Sequence, residues 1–263
     1  MMGVLNVTPD SFSDGGCYND TDSAVSRAME LVAEGADIID VGGESTRPGA
    51  DNVSLEEELA RVIPVIERIC DLTDVPISID TRKAPVARQA LAAGALIVND
   101  VSGLTADPLM VEVVAESGLP VVIMHARGTP STMQQNPTYN DTVGEISDWL
   151  SQRIEVVHAS GVSMGNVIID PGIGFGKRIS DNLLILKDLK RLDVLDCPVL
   201  IGPSRKRFIG QILDLPELDR LEGTAATVAM AISGGADIVR VHDVKAMARV
   251  ARVTDAIVRA KQE

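Results

Sequence analysis

Glu34-Gly35-Ala36-Asp37-Ile38-Ile39-Asp40 returns as Ala93-Gly94-Ala95-Leu96-Ile97-Val98-Asn99 and a third time as Gly234-Gly235-Ala236-Asp237-Ile238-Val239-Arg240. Each copy closes a stretch of helical hydrophobic spacing on a glycine, passes through an apolar run, and stops on a polar side chain. Glycine takes the left-handed conformation that ends a helix without steric cost. A short β-branched run after it reads as a strand buried on both faces. The repeated unit is therefore helix, turn, parallel strand.

Outward from these copies the apolar run occurs eight times, at 2–6, 37–41, 76–79, 95–98, 120–124, 166–169, 198–201 and 237–241. Helical spacing is expected between the runs, at 21–33, from 54 to 66, and at 83–92, 108–116, 141–159, 181–190, 223–233 and 244–259. Ser54-Leu55-Glu56-Glu57 is a capping box that opens the second helix. Pro64 inside that helix removes one backbone donor, so a kink is expected there. No linker or low-complexity stretch interrupts the alternation, which predicts one domain over 1–263. Eight strand–helix units can close into a barrel or lie in a doubly wound open sheet. The count, and the polar cluster at almost every strand end, favour an α/β fold. It is read as a single (β/α)8 TIM barrel with its active site at the C-terminal ends of the strands. Because the chain opens directly on the first strand, the bottom of the barrel is expected to be thinly covered.

Composition narrows the function classes. Hydrophobic residues are 45% and charged residues 24% of the 263, as in a soluble globular protein, while aromatics are only 2%, too few for a base-stacking surface. A formal net charge of −14 argues against broad binding to nucleic acid or anionic membranes. Cys17, Cys70 and Cys197 are widely spaced and odd in number, which fits a reducing compartment better than a disulfide framework or structural zinc. With no membrane-length apolar run and no basic-then-apolar leader pattern, a cytoplasmic protein is expected.

The strand ends carry residues a pure scaffold would not choose. They are Asn6; Glu44 to Pro48; Asp80; Asn99 and Asp100; His125; Asp170 through Lys177; Ser204-Arg205-Lys206; and Arg240 with His242. Taken singly, each has a plain reading. Asp10 suits a helix N-cap, His158 a surface helix position, and a lone Arg a solvated one. Jointly, eight remote segments converge on one face, and Asp80, Asn99, Asp170 and Lys206 would be costly there without a polar ligand. The Gly-rich 172–177 segment fits neither a phosphate-binding P-loop, since Pro171 and Arg178 stand at required positions, nor the dinucleotide fingerprint. Arg47, Arg205, Lys206, Arg240 and His242 gather positive charge for an anion beside a carboxylate–amide set suited to the edge of an aminopyrimidinone. The combination suggests a heterocycle carrying a diphosphate.

At this point the residues resemble a known family. Met2-Gly3-Val4-Leu5-Asn6-Val7-Thr8-Pro9-Asp10-Ser11-Phe12-Ser13-Asp14-Gly15-Gly16 and Asp40 to Gly49 resemble the two signatures of the dihydropteroate synthases. Ile79-Asp80-Thr81, Asn99-Asp100, Met124-His125, Asp170 to Lys177, Ser204-Arg205-Lys206 and Arg240-Val241-His242-Asp243 continue the pattern in family order. The resemblance implies that Asp80, Asn99, Asp170 and Lys206 hold a dihydropterin ring, with Arg205 near it. It implies that Asn6, Arg47, Arg240 and His242 hold the diphosphate, with Asn6 and Asp14 at a Mg2+ ion. Phe12, Thr46, Pro48, Phe175 and Ser204 would line a p-aminobenzoate pocket, and the loop bearing Phe12 and Asp14 would close over it. The implied catalytic set is Asp80, Asp170, Lys206, Arg240 and His242, and the implied assembly a homodimer. Ala126 and Arg127 depart from the pattern and suggest a smaller, more basic wall; Pro203 is variable ground. The rival reading, a pterin-binding methyltransferase module for a corrinoid partner, would have no need of Arg47, Arg240 and His242 as diphosphate ligands.

Overall fold

The computed structural model describes residues 1–8, 17–45, 53–128, 133 and 137–260, with backbone only at 17–20. Eight parallel strands alternate with helices. The strands are β1 (Met2–Asn6), β2 (Ile38–Gly42), β3 (Ile77–Asp80), β4 (Ile97–Asp100), β5 (Val121–Met124), β6 (Val167–Asp170), β7 (Leu200–Ile201) and β8 (Ile238–Val241). Hydrogen bonding runs β6-β5-β4-β3-β2-β1-β8-β7. A single bridge from Ile169 to Val199, with the Ile169 N–H donating to the Pro198 carbonyl at 2.9 Å, joins β6 to β7 and closes the ring. This is the expected barrel rather than an open sheet.

The helices are α1 (Cys17–Glu34), α2 (Leu55–Cys70), α3 (Ala84–Ala92), α4 (Met110–Ser117), α5 (Thr142–Ala159), α6 (Ile179–Lys187), α7 (Arg207–Leu213), α8 (Leu221–Ser233) and α9 (Val244–Val258). The repeated glycines Gly35, Gly94 and Gly235 have φ of 105°, 112° and 100°, which makes them the left-handed stops on which the reading began. Ser54 caps α2 by accepting from the Glu57 N–H at 3.2 Å. α2 continues through Pro64. Pro64 and Ala60 both lie on the exposed face, so the carbonyl left without its donor meets water. The seven-residue α7 was not anticipated; it is too short to show a hydrophobic period.

Strand alternation sorts side chains to two cores. One set packs outward against the helices, in a cluster that includes Leu5, Ile39, Val41, Ile79, Val98, Ile123 and Ile169. The other forms an inner floor of Met2, Ile97, Val122 and Leu200, with Ile38, Ile168 and Ile238 only partly buried against it. Above the floor the same inward register turns polar. Asn6 pairs with Gly42, Gly42 with Asp80, and Asp80 with Asn99 across four adjacent strands. Met124 pairs with Asp170 on the far side.

Candidate active site

The three copies of the opening repeat end on Asp40, Asn99 and Arg240, and these equivalent positions meet inside the barrel. Arg240 Nε donates to Asp40 Oδ2 at 2.6 Å, and its second nitrogen donates to Asp80 Oδ2 at 2.8 Å. Asn99 Nδ2 donates to the same Asp40 oxygen at 3.1 Å, which leaves the amide oxygen as an acceptor. Asp40 is fully buried and Asp80 nearly so. One guanidinium thus bridges two buried carboxylates, the planar forked pairing that arginine favours. The other oxygens, Asp40 Oδ1 and Asp80 Oδ1, are buried with no hydrogen-bond partner among the described residues. Orphaned acceptors of this kind are costly unless a ligand donor completes them.

Burial sets the titration here. It pushes the Asp80 carboxyl up to about 7, against the lowering effect of Arg240 and with Asp40 and Asp100 adding repulsion. Asp170 rises to about 6, again from burial, although the Gly172 N–H and the cations Lys206 and Lys177 pull it down. Asp170 Oδ1 accepts from the Gly172 N–H at 2.7 Å, which leaves its second oxygen for other donors. Lys206 stands over the Phe175 ring, its ammonium 4.1 Å from the centroid.

Other expected site residues have different surroundings. Ser204 is buried beneath His242, its hydroxyl accepting from the His242 backbone N–H at 3.1 Å and meeting Nδ1 at 3.0 Å. That makes it a support for the histidine. Arg205 has a left-handed φ of 57° and donates twice to Asp243, at 3.0 and 2.5 Å, so its charge is turned to the helical layer rather than offered to a ring. Arg127 lies over Tyr139 and pairs with Glu145 at 3.6 Å. His158 is exposed on α5, as expected. Phe12, Asp14, Thr46, Arg47 and Pro48, with Asp10, lie outside the described residues.

Behind Asp80, a buried ionic network anchors the segment that enters residues 46–52. Arg82 and Lys83 donate to Glu44 at 2.9 and 2.7 Å, Lys83 also pairs with the fully buried Glu58, and Arg61 donates to the Gly43 carbonyl at 2.7 Å. Among the described residues no cluster of three or more His, Cys, Asp or Glu could cage a metal. Mg2+ needs no such cage. It keeps most of its waters and binds through one or two protein oxygens plus substrate phosphates. Asn6, half-buried at the end of β1 beside the acidic cluster, offers a hard oxygen that suits this.

With this geometry in place, comparison with known proteins decides the family. A model described as "Pterin binding enzyme" matches residues 2–242. The dihydropteroate synthase of Synechocystis is 52% identical over 258 residues, covering 98% of this chain and 89% of the relative. The chain belongs to the dihydropteroate synthases.

Solved structures of the family superpose closely. The Yersinia pestis dihydropteroate synthase in a sulfonamide drug complex has a TM-score of 0.94 and 44% identity, covering 98% of this chain and 94% of that one. The Xanthomonas albilineans dihydropteroate synthase with 4-aminobenzoic acid has a TM-score of 0.93 and 45% identity, covering 99% and 93%. This family member is therefore a transferase on a TIM barrel. The corrinoid-module reading is set aside. What the sequence reading missed is Asp40. Its signal was available in the repeat, since it occupies the same register position as Asn99 and Arg240.

Proposed function

We propose that the chain joins 6-hydroxymethyl-7,8-dihydropterin diphosphate to p-aminobenzoate, releasing pyrophosphate. The observation that carries this reading is the bridged Asp40–Arg240–Asp80 cluster with its two unpartnered acceptors, seated among Asn99, Asp170 and Lys206. In this reading the pterin's ring N–H and amino groups donate to Asp80, Asp170 and the Asn99 oxygen. The ammonium of Lys206 donates to a ring acceptor. The C–O bond between the exocyclic methylene and the diphosphate breaks, positive charge on the methylene spreads into the ring, and the amine nitrogen forms the new C–N bond and gives up one proton to solvent or to the departing pyrophosphate. His242, propped by Ser204, and Arg47 would neutralise the departing anion, with Arg240 contributing its remaining field. Asn6 and Asp14 would hold Mg2+, which would supply charge neutralisation for the leaving group. Phe12, Thr46, Pro48 and Phe175 would flank the p-aminobenzoate ring.

The test is pyrophosphate release on mixing the two substrates, abolished by chelating divalent metal. Asp170→Ala should fold normally yet lose ~1.5–3 kcal/mol of pterin affinity, since its carboxylate forms charge-assisted hydrogen bonds in the complex. Normal binding of pterin diphosphate by that variant would refute the assignment.

We also place the protein in the cytoplasm as a homodimer. Among the described residues no helix is long and apolar enough to cross a membrane. The packed pair α8 and α9 exposes Met230 by 52%, Val253 by 62% and Ile257 by 70%, apolar surface that a second copy would cover. Sedimentation should give twice the 27.9 kDa chain mass, and Ile257→Asp should halve it. A monomeric wild type would remove the dimer from the proposal.

A further inference from the structure

Lys177 ends the Gly-rich segment after β6, and it is 3% exposed. Its ammonium has three donors and meets three acceptors: His125 Nδ1 at 3.0 Å, the His125 carbonyl at 3.3 Å and the Phe175 carbonyl at 3.0 Å. An ammonium cannot accept, so His125 must present a lone pair at Nδ1 and carry its proton on Nε2. The imidazole is packed edge-on against Trp149, 5.1 Å between centroids, and near Tyr139. Burial, with Lys177 alongside, lowers its basicity to about 2, so it stays neutral.

The same segment is pressed against the end of β5 at close quarters. A Cβ at Gly172, where φ is 71°, would fall 1.9 Å from the His125 carbonyl oxygen, and one at Gly176 would fall 2.3 Å from that of Arg127. Tyr139 donates to the Gly176 carbonyl at 2.9 Å, and the Gly174 N–H donates to Asn182 at 2.7 Å. Every fastening therefore converges on the residues either side of Phe175, whose ring carries the Lys206 ammonium.

We infer that Lys177 is a positioning residue: its buried ammonium clamps the loop after β6 onto the end of β5, fixing Phe175 and, through Phe175, the stance of Lys206. The inference rests on the reading above in which Phe175 flanks p-aminobenzoate and Lys206 meets the pterin. The charge of Lys177 is opposed by burial, by Lys206 and by Arg127, and supported by Asp170 and Asp181, a balance that lowers its pKa to about 7. The neutral amine keeps two N–H donors for three acceptors, so the clamp weakens when the proton leaves.

The experiment uses Lys177→Met, which keeps an unbranched apolar stem and deletes the charge. Three histidines make the ring-nitrogen 15N spectrum of the labelled protein easy to assign. Wild-type His125 should appear as the neutral Nε2–H tautomer from pH 5 to 7, and in Lys177→Met the tautomers should mix or the ring should titrate in that window. An unchanged His125 signal overturns the clamp, whatever the enzyme's substrate, so this arm stands apart from the proposed reaction. Kinetically, KM for p-aminobenzoate should rise about tenfold or more, and KM for the pterin diphosphate should rise with it by a smaller factor, because Lys206 loses its fixed stance over Phe175. Phe175→Ala should produce the same rise, and the double variant no further one. A shifted His125 signal with unaltered KM overturns the link to Phe175. If the methionine variant does not fold, Lys177→Gln, with two amide donors, is read by the same two outcomes.

Discussion

Arg240→Ala is expected to lose stability, pterin affinity and turnover together. Position on β8 alone suggests a simpler outcome, with Arg240 facing the departing diphosphate and indifferent to the ring. The structure ties it instead to Asp40 and Asp80 at 2.6 and 2.8 Å, with Asp40 fully buried. Removing the guanidinium leaves two buried carboxylates facing each other without a counter-charge, a loss on the order of 3–5 kcal/mol. It also frees Asp80 to turn or to take up a proton, which alters the acceptor that the pterin needs. Urea unfolding and calorimetry with a diphosphate-free pterin would measure the two effects. Arg240→Lys should recover only part of either, because an ammonium lacks the planar fork that reaches both carboxylates. Asp40→Asn should relieve the Arg240→Ala defect, so the double variant should cost less than the sum of the singles. If Arg240→Ala unfolds at the wild-type urea concentration and binds the bare pterin normally, the bridge is idle and the arginine serves the diphosphate alone. The clean separation of ring affinity from turnover belongs to His242, whose backbone N–H donates to the Ser204 hydroxyl and whose Nδ1 meets it.

The barrel was legible because its signals are local. An apolar run with a polar end recurs at almost every unit, three times behind a glycine stop, and the runs survive translation into backbone geometry with shifts of one or two residues. The inward polar ring was legible for the same reason, since alternation along a strand assigns a face without knowledge of neighbours. What the sequence did not disclose depends on pairing across the barrel. Arg240 and Asp40 lie 200 residues apart, and nothing local tells an arginine bound to carboxylates from one waiting for an anion. The pairing of Arg205 with Asp243 was hidden on the same ground, because the left-handed turn that aims it there sits at a residue other than glycine. Lys177 stands in the sequence only as the last residue of a Gly-rich segment. Its burial follows from the glycines at 172 and 176, whose missing side chains let the segment lie directly on the His125 and Arg127 carbonyls just past β5.

Pterin affinity is expected to climb steeply between pH 5 and pH 7 while the stability of the ligand-free protein declines. Both follow from Asp80, pushed up to about 7, and Asp170, pushed up to about 6, each by burial ahead of any charge. In the unfolded chain a carboxyl titrates near about 3.9. Between that value and 7 the native state therefore holds protons that the unfolded state has released. Stability is then greatest on the acid side of this window and falls as pH rises through it. Binding runs the other way. If the ring's N–H and amino groups donate to these carboxylates, only the ionised forms serve, and each bound proton must leave first. Affinity for a pterin that does not itself titrate should then change by about tenfold per pH unit below 7, and more steeply below 6, where Asp170 joins. Asp80→Asn should flatten the upper part of both curves, leaving the Asp170 component. Thermal melts of the free protein and calorimetric titrations with a diphosphate-free pterin, over pH 5 to 8, give the two slopes. Opposite slopes support carboxylate acceptors at the ring. An affinity that is flat, or that rises toward acid, would mean that protonated Asp80 is the binding form and donates its proton to a ring acceptor.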